Sequence, residues 1–444
     1  MSSDTTANYD VIVVGSGVAG LYTAVEALRE FPRLRVAVYE LEKDVGGRAK
    51  TSHQKVEGVA LQWEAGAGRI SDRHTHVLGL LKRYKLKWSP IGGDSQFKGG
   101  AARALEPNVF EAGISVMLDT LAGLPAEELS RHTVKQLLTR VHGSARTENY
   151  LIRFPYRAEL EVMRADRALE LFAREMGGGA AGERFGICPE GLSAMTTAMR
   201  KEVEKRGGTF FFEHKLVDFK DGEATFQQMG GGVEDAEEKV VRAEHMVLAL
   251  PSAALAKLKP LRSWRTLRHL RMTPLLRFYG VFPKDANGGM WYDEFGGRII
   301  TAGNVRYMIP GYAPSDGGVG SAQISYTDTQ DAEYWMERIA ERGERAVGME
   351  IVDELRAWLK PTIPTPLFLR AHAWPAGATY WLPGAYSPEE ESRAAVHPMP
   401  ERYPGLWVCG ESFSLRQAWM EGALEHASTM LTPLKRALKK KHAR

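Results

Sequence analysis

The residues best placed to do chemistry begin at Gly15-Ser16-Gly17-Val18-Ala19-Gly20, a complete GxGxxG. It follows Tyr9 to Val14, a short apolar and β-branched run that reads as a buried strand. It opens a segment in which Leu21, Val25 and Leu28 share one helical face, with Pro32 just past the end. A second strand, Leu34 to Tyr39, leads into Glu40, about twenty residues beyond the last glycine, where a dinucleotide fingerprint has its acid. Gly15 permits the tight turn, Gly17 lets the backbone approach a pyrophosphate, and Gly20 lets helix and strand pack closely. The helix start offers N–H groups to the anion, and Glu40 is suited to accept from ribose hydroxyls.

Directly after Glu40 comes Leu41-Glu42-Lys43-Asp44-Val45-Gly46-Gly47-Arg48. Near the other end, Leu406 to Val408 reads as a buried strand running into Cys409-Gly410-Glu411. Trp419-Met420-Glu421-Gly422-Ala423 then opens a helix with Met420, Leu424, Ala427 and Leu431 on one face. These pieces resemble, in order, the segments that enclose FAD in the flavin amine oxidase family. A looser match is Gly191 onward and Phe210 to Leu216. The resemblance implies that Leu41, Gly47 and Arg48 lie along FAD, with the arginine at its diphosphate. It implies that Leu216 touches the adenine, and that Glu411, Trp419, Met420 and Glu421 close the flavin end. Ala378 stands where monoamine oxidases carry the cysteine that attaches FAD, so the cofactor is expected to be non-covalent.

Trp63-Glu64-Ala65-Gly66-Ala67-Gly68-Arg69 has small residues at 65–68 that would let backbone pass against a flavin. It resembles the L-amino acid oxidase branch, in which an arginine ending such a run holds the substrate carboxylate. A guanidinium offers a planar fork to a carboxylate, which would aim the α-hydrogen at the flavin. The alternative is that Arg69 pairs structurally with Glu64 or another acid. Trp374 and Tyr380 lie in a segment resembling the one that lines the flavin. With Trp419 they are expected to form an apolar slot, ordinary core packing being the alternative for each. Arg277 matches the place of a family lysine that assists reoxidation by oxygen. It keeps the charge but is larger and cannot lose its proton. His372 beside the flavin segment reads as a structural histidine, with proton transfer as the other role.

The elements that must position these residues suit an α/β fold. A Rossmann-like FAD-binding domain of GR2 type is expected from residues 1–75, 184–256 and 396–434. A mixed α+β substrate domain, inserted discontinuously, takes 76–183, largely helical, and 257–395, with strand-like runs at Leu275 to Phe282 and Gln323 to Tyr326. At 444 residues the chain suits two or three domains. A net charge of +3 argues against a broad nucleic-acid or membrane surface. The basic tail, 435–444, reads as a solvated helix end, with an address or polyanion contact as the alternative. Cys188 and Cys409 show neither CxxC nor metal spacing, and the 12 histidines show no metal pattern. The first ten residues lack a signal peptide's basic and apolar regions, and no apolar run reaches the length of a membrane span. A reduced, cytoplasmic setting is expected, and a homodimer is common among similar proteins.

The expected activity is oxidation of an L-amino acid by hydride transfer from Cα to flavin N5. Molecular oxygen would then yield hydrogen peroxide, and the imine would hydrolyse to a 2-oxo acid and ammonia. The alternatives are an amine or polyamine oxidase, an amino acid 2-monooxygenase, a desaturase using another acceptor, and a flavin-holding protein without turnover.

Overall fold

The first strand, Asn8–Val14, buries Val11 through Val14, so it needs cover on both faces and neighbours on both edges. It pairs in parallel with Val36–Tyr39 on one side and Glu238–Leu248 on the other. The computed structural model describes residues 8–92, 94–108, 119–175, 184–220, 222–229 and 238–442. The first seven residues, in the stretch read above for a signal, lie outside the described residues, as do the last two of the basic tail.

Two seven-stranded sheets organise the chain. The first runs in the order Thr209–Phe211, Val36–Tyr39, Asn8–Val14, Glu238–Leu248, Glu223–Gln228, His214–Lys220, with Leu406–Val408 also paired to Glu238–Leu248. The helix Val18–Glu30 covers one face, burying Leu21, Val25 and Leu28 as their spacing requires. The last helix, Met420–His442, packs against it through Leu424, Ala427, Leu431, Leu434 and Leu438, all in one apolar core. That helix carries on through most of the basic segment, where Lys435 and Lys439 each pair with Glu30 at 2.8 Å.

The second sheet runs Phe368–Trp381, Leu270–Pro283, Val319–Asp328, Tyr307–Pro310, Arg298–Thr301, Ser95–Lys98, Glu106–Pro107. Helices Thr329–Arg342 and Glu344–Trp358 share its apolar core. A third core belongs to the short helices between Ala126 and Glu175, and it takes in Ala378 and Tyr380 from the end of the long strand. The whole is an α/β fold, with a Rossmann-like domain interrupted by a mixed α+β part. Each sheet draws on segments that alternate along the chain, so the lines where they meet bring together residues far apart in sequence. Among the described residues, no helix is long and apolar enough to cross a membrane.

Leu424 has no exposed surface at the interface of the first and last helices. Leu424→Ala is expected to cost about 2–5 kcal/mol and to lower the midpoint of thermal unfolding measured by circular dichroism.

Candidate functional site

The glycines of the first loop have different duties. Gly15 has φ of +95° and donates its N–H to Tyr39 O at 2.8 Å; a Cβ on it would stand 2.6 Å from Ala249 O. A Cβ on Gly20 would stand 1.9 Å from Gly15 O. At Gly17, by contrast, a Cβ would meet no atom within 4 Å. The helix that starts here, at Val18 and Ala19, has no side-chain cap and no acid in its first turn. Its start is therefore an open cradle with N–H groups suited to an anion. The buried Glu40 carboxylate accepts from Ser16 N at 2.6 Å, Ser16 Oγ at 2.7 Å and Glu42 N at 3.0 Å, which fixes the acid beside the loop. Gly46 donates to Ser16 O at 2.9 Å, and Gly47 at φ +56° lies against Gly17 Cα, so the second glycine pair forms a wall of the same cradle. Leu41 is exposed beside it, while Leu216 packs in the core near Tyr39 and Phe226.

At the far end of the cradle Arg48 and Glu411 meet. Arg48 Nη1 donates to Glu411 Oε2 at 2.9 Å and to Gly377 O at 2.8 Å. Glu411, buried, also accepts from Thr379 N at 2.9 Å, Thr379 Oγ1 at 3.0 Å and Ala418 N at 2.8 Å. The carboxylate of Glu421 is committed elsewhere. It accepts from His76 N at 2.9 Å and Val77 N at 3.0 Å, at the start of the helix Thr75–Arg83, and it contacts His76 Nδ1 at 2.9 Å. What the 419–421 segment can offer a cofactor is therefore its backbone and its neighbours Trp419 and Met420, with the Glu421 carboxylate taken up by helix capping.

The small-residue stretch 65–69 runs between the two sheets. Ala67 N donates to Arg48 O at 2.9 Å, and a Cβ on Gly66 would stand 2.0 Å from that oxygen, so glycine there serves chain-to-chain contact. A Cβ on Gly68 would stand 3.1 Å from Arg277 Nη1. Arg277 is buried and donates to Glu64 O at 2.9 Å, with its guanidinium 4.7 Å over the Tyr326 ring. Arg69, the next residue on from Gly68, lies over three rings: Phe185 at 5.0 Å, Tyr156 at 5.5 Å and Trp419 at 5.5 Å. Tyr156 and Tyr326 meet edge to face at 5.2 Å. The contacts form a circuit, Gly68–Arg69–Tyr156–Tyr326–Arg277–Gly68, with a cation on each side of the two tyrosines.

Trp374, Tyr380 and Trp419 do not form one slot. Trp374 donates its indole N–H to Ala65 O at 2.7 Å. Tyr380 is only 4% exposed, and its hydroxyl donates to Glu159 Oε1 at 3.1 Å, which draws it into the helical core. Trp419 alone joins the Arg69 site, stacked on Phe185 at 5.7 Å with His74 at its edge. Phe185, Tyr156 and Tyr326 take the places that sequence reasoning gave to the other two. Glu64 accepts from Leu192 N at 2.9 Å and from Thr51 Oγ1 at 3.1 Å.

The electrostatics favour an anion. Burial lowers His74 to about 4 and His372 to about 4, so both are neutral at pH 7. His372 accepts from Trp63 Nε1 at 2.9 Å, a structural role. Burial also raises the Glu64 carboxyl to about 7. At Arg277 burial works against the charge, but Tyr279 and Tyr326 beside it outweigh that and hold its pKa above the ordinary value. Cys188 and Cys409 are buried free thiols.

Residues 18–429 match the family model described as flavin containing amine oxidoreductase. A search of curated proteins gives no match. Among solved structures, the chain is similar to a putrescine oxidase bound to putrescine, at 18% identity and TM-score 0.71, with 97% of this chain and 100% of that one covered. It is similar also to cyclohexylamine oxidase from Brevibacterium oxydans IH-35A, at 17% identity and TM-score 0.68, with 96% and 99% covered.

The Glu64 carboxyl yields a pH prediction. With its folded pKa raised from 4.5 to about 7, the native state holds a proton there that the unfolded chain has lost. The resulting stability is complete below the unfolded value and disappears as pH rises through the folded one, on the order of 3 kcal/mol in all. Glu64→Gln should flatten this fall, measured as denaturation midpoints between acid and neutral pH; an unchanged slope would show that the group titrates normally.

Proposed function

The chain belongs to the flavin-containing amine oxidoreductases, and from that premise we propose that it is an FAD-dependent oxidase of L-amino acids. The observation that carries this reading is the placement of Arg69. Its guanidinium is held by three aromatic rings, adjoins the Gly68 peptide, and shares the cluster with a second cation, Arg277. Ring faces fix the plane of a guanidinium, and a guanidinium's planar fork matches a carboxylate.

The residues of the cradle fit FAD. Gly15 to Gly20 would take the diphosphate at the open Gly17, Glu40 the ribose, and Arg48 with Glu411 the far side, with no cysteine at Ala378 to attach it. When bound, the flavin would supply the acceptor for a hydride, which carries both electrons. The protein's part is aim and environment. Arg69 binds the carboxylate and so fixes which face of Cα is presented. The rings of Phe185, Trp419, Tyr156 and Tyr326 displace water, and two nearby cations disfavour an ammonium, so the substrate amine is held neutral, as loss of hydride from Cα requires. Burial keeps the Tyr156 phenol well above its usual pKa, so it is a neutral donor beside Arg69. Arg277, always charged, favours negative charge developing on oxygen as peroxide forms. The imino acid leaves and hydrolyses to a 2-oxo acid and ammonia.

One observation favours a second reading, oxidation of a simple amine. The three rings around Arg69 can equally make it a structural cation, and the two solved structures described above are oxidases of putrescine and cyclohexylamine. The deciding experiment adds L-amino acids, and separately amines, to the yellow protein without oxygen, and then admits air. Bleaching by amino acids, with colour and peroxide returning in air, is expected; bleaching by amines alone overturns the assignment. An amide and carbon dioxide in place of oxo acid and peroxide would make it a monooxygenase. Arg69→Ala should raise KM for the amino acid roughly thirtyfold or more while retaining FAD.

A further inference from the structure

The segment that carries Tyr156 is gripped on both sides by the second sheet. Upstream, the buried Arg306 donates Nη1 to Ile152 O at 3.1 Å and Nη2 to Phe154 O at 2.6 Å. Downstream, the buried Asp328 accepts from Arg157 N at 2.9 and 3.0 Å and from Ala158 N at 2.9 Å. A cation holds the carbonyl side of the segment and an anion holds the amide side, which is the pairing that exposed backbone groups demand. The Arg157 guanidinium is engaged with Glu148, Glu161 and Asp331 instead, so Asp328 serves the backbone.

Both grips are coupled to the second tyrosine. Arg306 is bridged through its backbone to Tyr326, and Asp328 follows Tyr326 by two residues at the end of the same strand. Tyr307, adjoining Arg306, meets Tyr156 edge to face at 6.1 Å. The spacing of Tyr156 from Tyr326, and hence from Arg69, is therefore set by two buried side chains that grip the backbone on either side of it.

We propose that Arg306 and Asp328 are positioning residues that hold Tyr156 between Arg69 and Tyr326 and thereby set how a carboxylate ligand sits against Arg69. The inference rests on reading Arg69 as the carboxylate-binding residue. It states that the clamp acts on ligands through Tyr156, which an ion network that merely joins two parts of the fold would not do.

The test uses the FAD-loaded enzyme and benzoate, a carboxylate on an aromatic ring, titrated against the visible flavin spectrum. Asp328→Asn and Tyr156→Ala should each weaken benzoate by about tenfold, and the double variant should be no weaker than Tyr156→Ala alone. Independent, multiplying effects overturn the clamp. If Asp328→Asn does not fold, Arg306→Lys keeps the charge and loses the two-carbonyl fork, and the same non-additivity is expected. Arg69→Ala separates the two claims, because benzoate bound as tightly as in the wild type would overturn the carboxylate reading. In that case, or if the wild type takes no benzoate, the clamp is judged from fluorine NMR of a fluorotyrosine at position 156. A single line that shifts or broadens in Asp328→Asn supports it, and an unchanged line overturns it.

Discussion

Glu411 is a carboxylate with almost no access to water, and a charge in that position is tolerable only if donors surround it. Its four hydrogen bonds come from Arg48, from the amide and hydroxyl of Thr379, and from the amide of Ala418. Arg48 ends the second glycine segment of the nucleotide cradle. Thr379 lies near the end of the strand Phe368–Trp381 of the second sheet, and Ala418 precedes the last helix. One buried acid thus joins the Rossmann-like part, the inserted part and the closing helix at a single point. Removing any donor leaves the charge under-satisfied, so the three segments are held in one arrangement, and the stretch 65–69 is laid against Arg48 within it.

How much of this could be read in the sequence depended on whether the cause was local. The strand, glycines, helix and acid of residues 8–40 follow one another along the chain, and each residue type there has a local reason. The Arg69 site has no such continuity. Phe185 opens a three-residue strand and Tyr156 lies in an irregular stretch before a short helix, and no periodicity marks them as belonging with residue 69. Tyr326 sits in a recognisable strand, but only the pairing of that strand with Leu270–Pro283 puts it opposite Arg277.

The misplaced residues have physical explanations. Trp374 and Tyr380 lie on one strand, but a register shift falls between them, and Trp374 bonds Ala65 O. Tyr380 then satisfies its hydroxyl on Glu159, and that bond ties the strand to the helical insertion. The resemblance placed Glu421 at the flavin end. Its carboxylate instead caps a neighbouring helix whose first amides would otherwise lack partners. The basic end of the chain hid Leu434 and Leu438, which continue the apolar stripe of the last helix and keep its charged turns folded against the first.

The exchange of lysine for arginine at position 277 is best understood through its neighbours. An ammonium is compact and titratable, whereas a guanidinium can donate in two directions and stack on a ring at once. Arg277 does so, bonding Glu64 O while lying over Tyr326. It therefore connects the 65–69 stretch to the tyrosine wall, a bridge that a shorter point charge could not make. The Arg277 cation and the Tyr326 ring are parts of one contact. The two are consequently hard to change separately, since any residue that alters the position of Tyr326 also alters the support of Arg277.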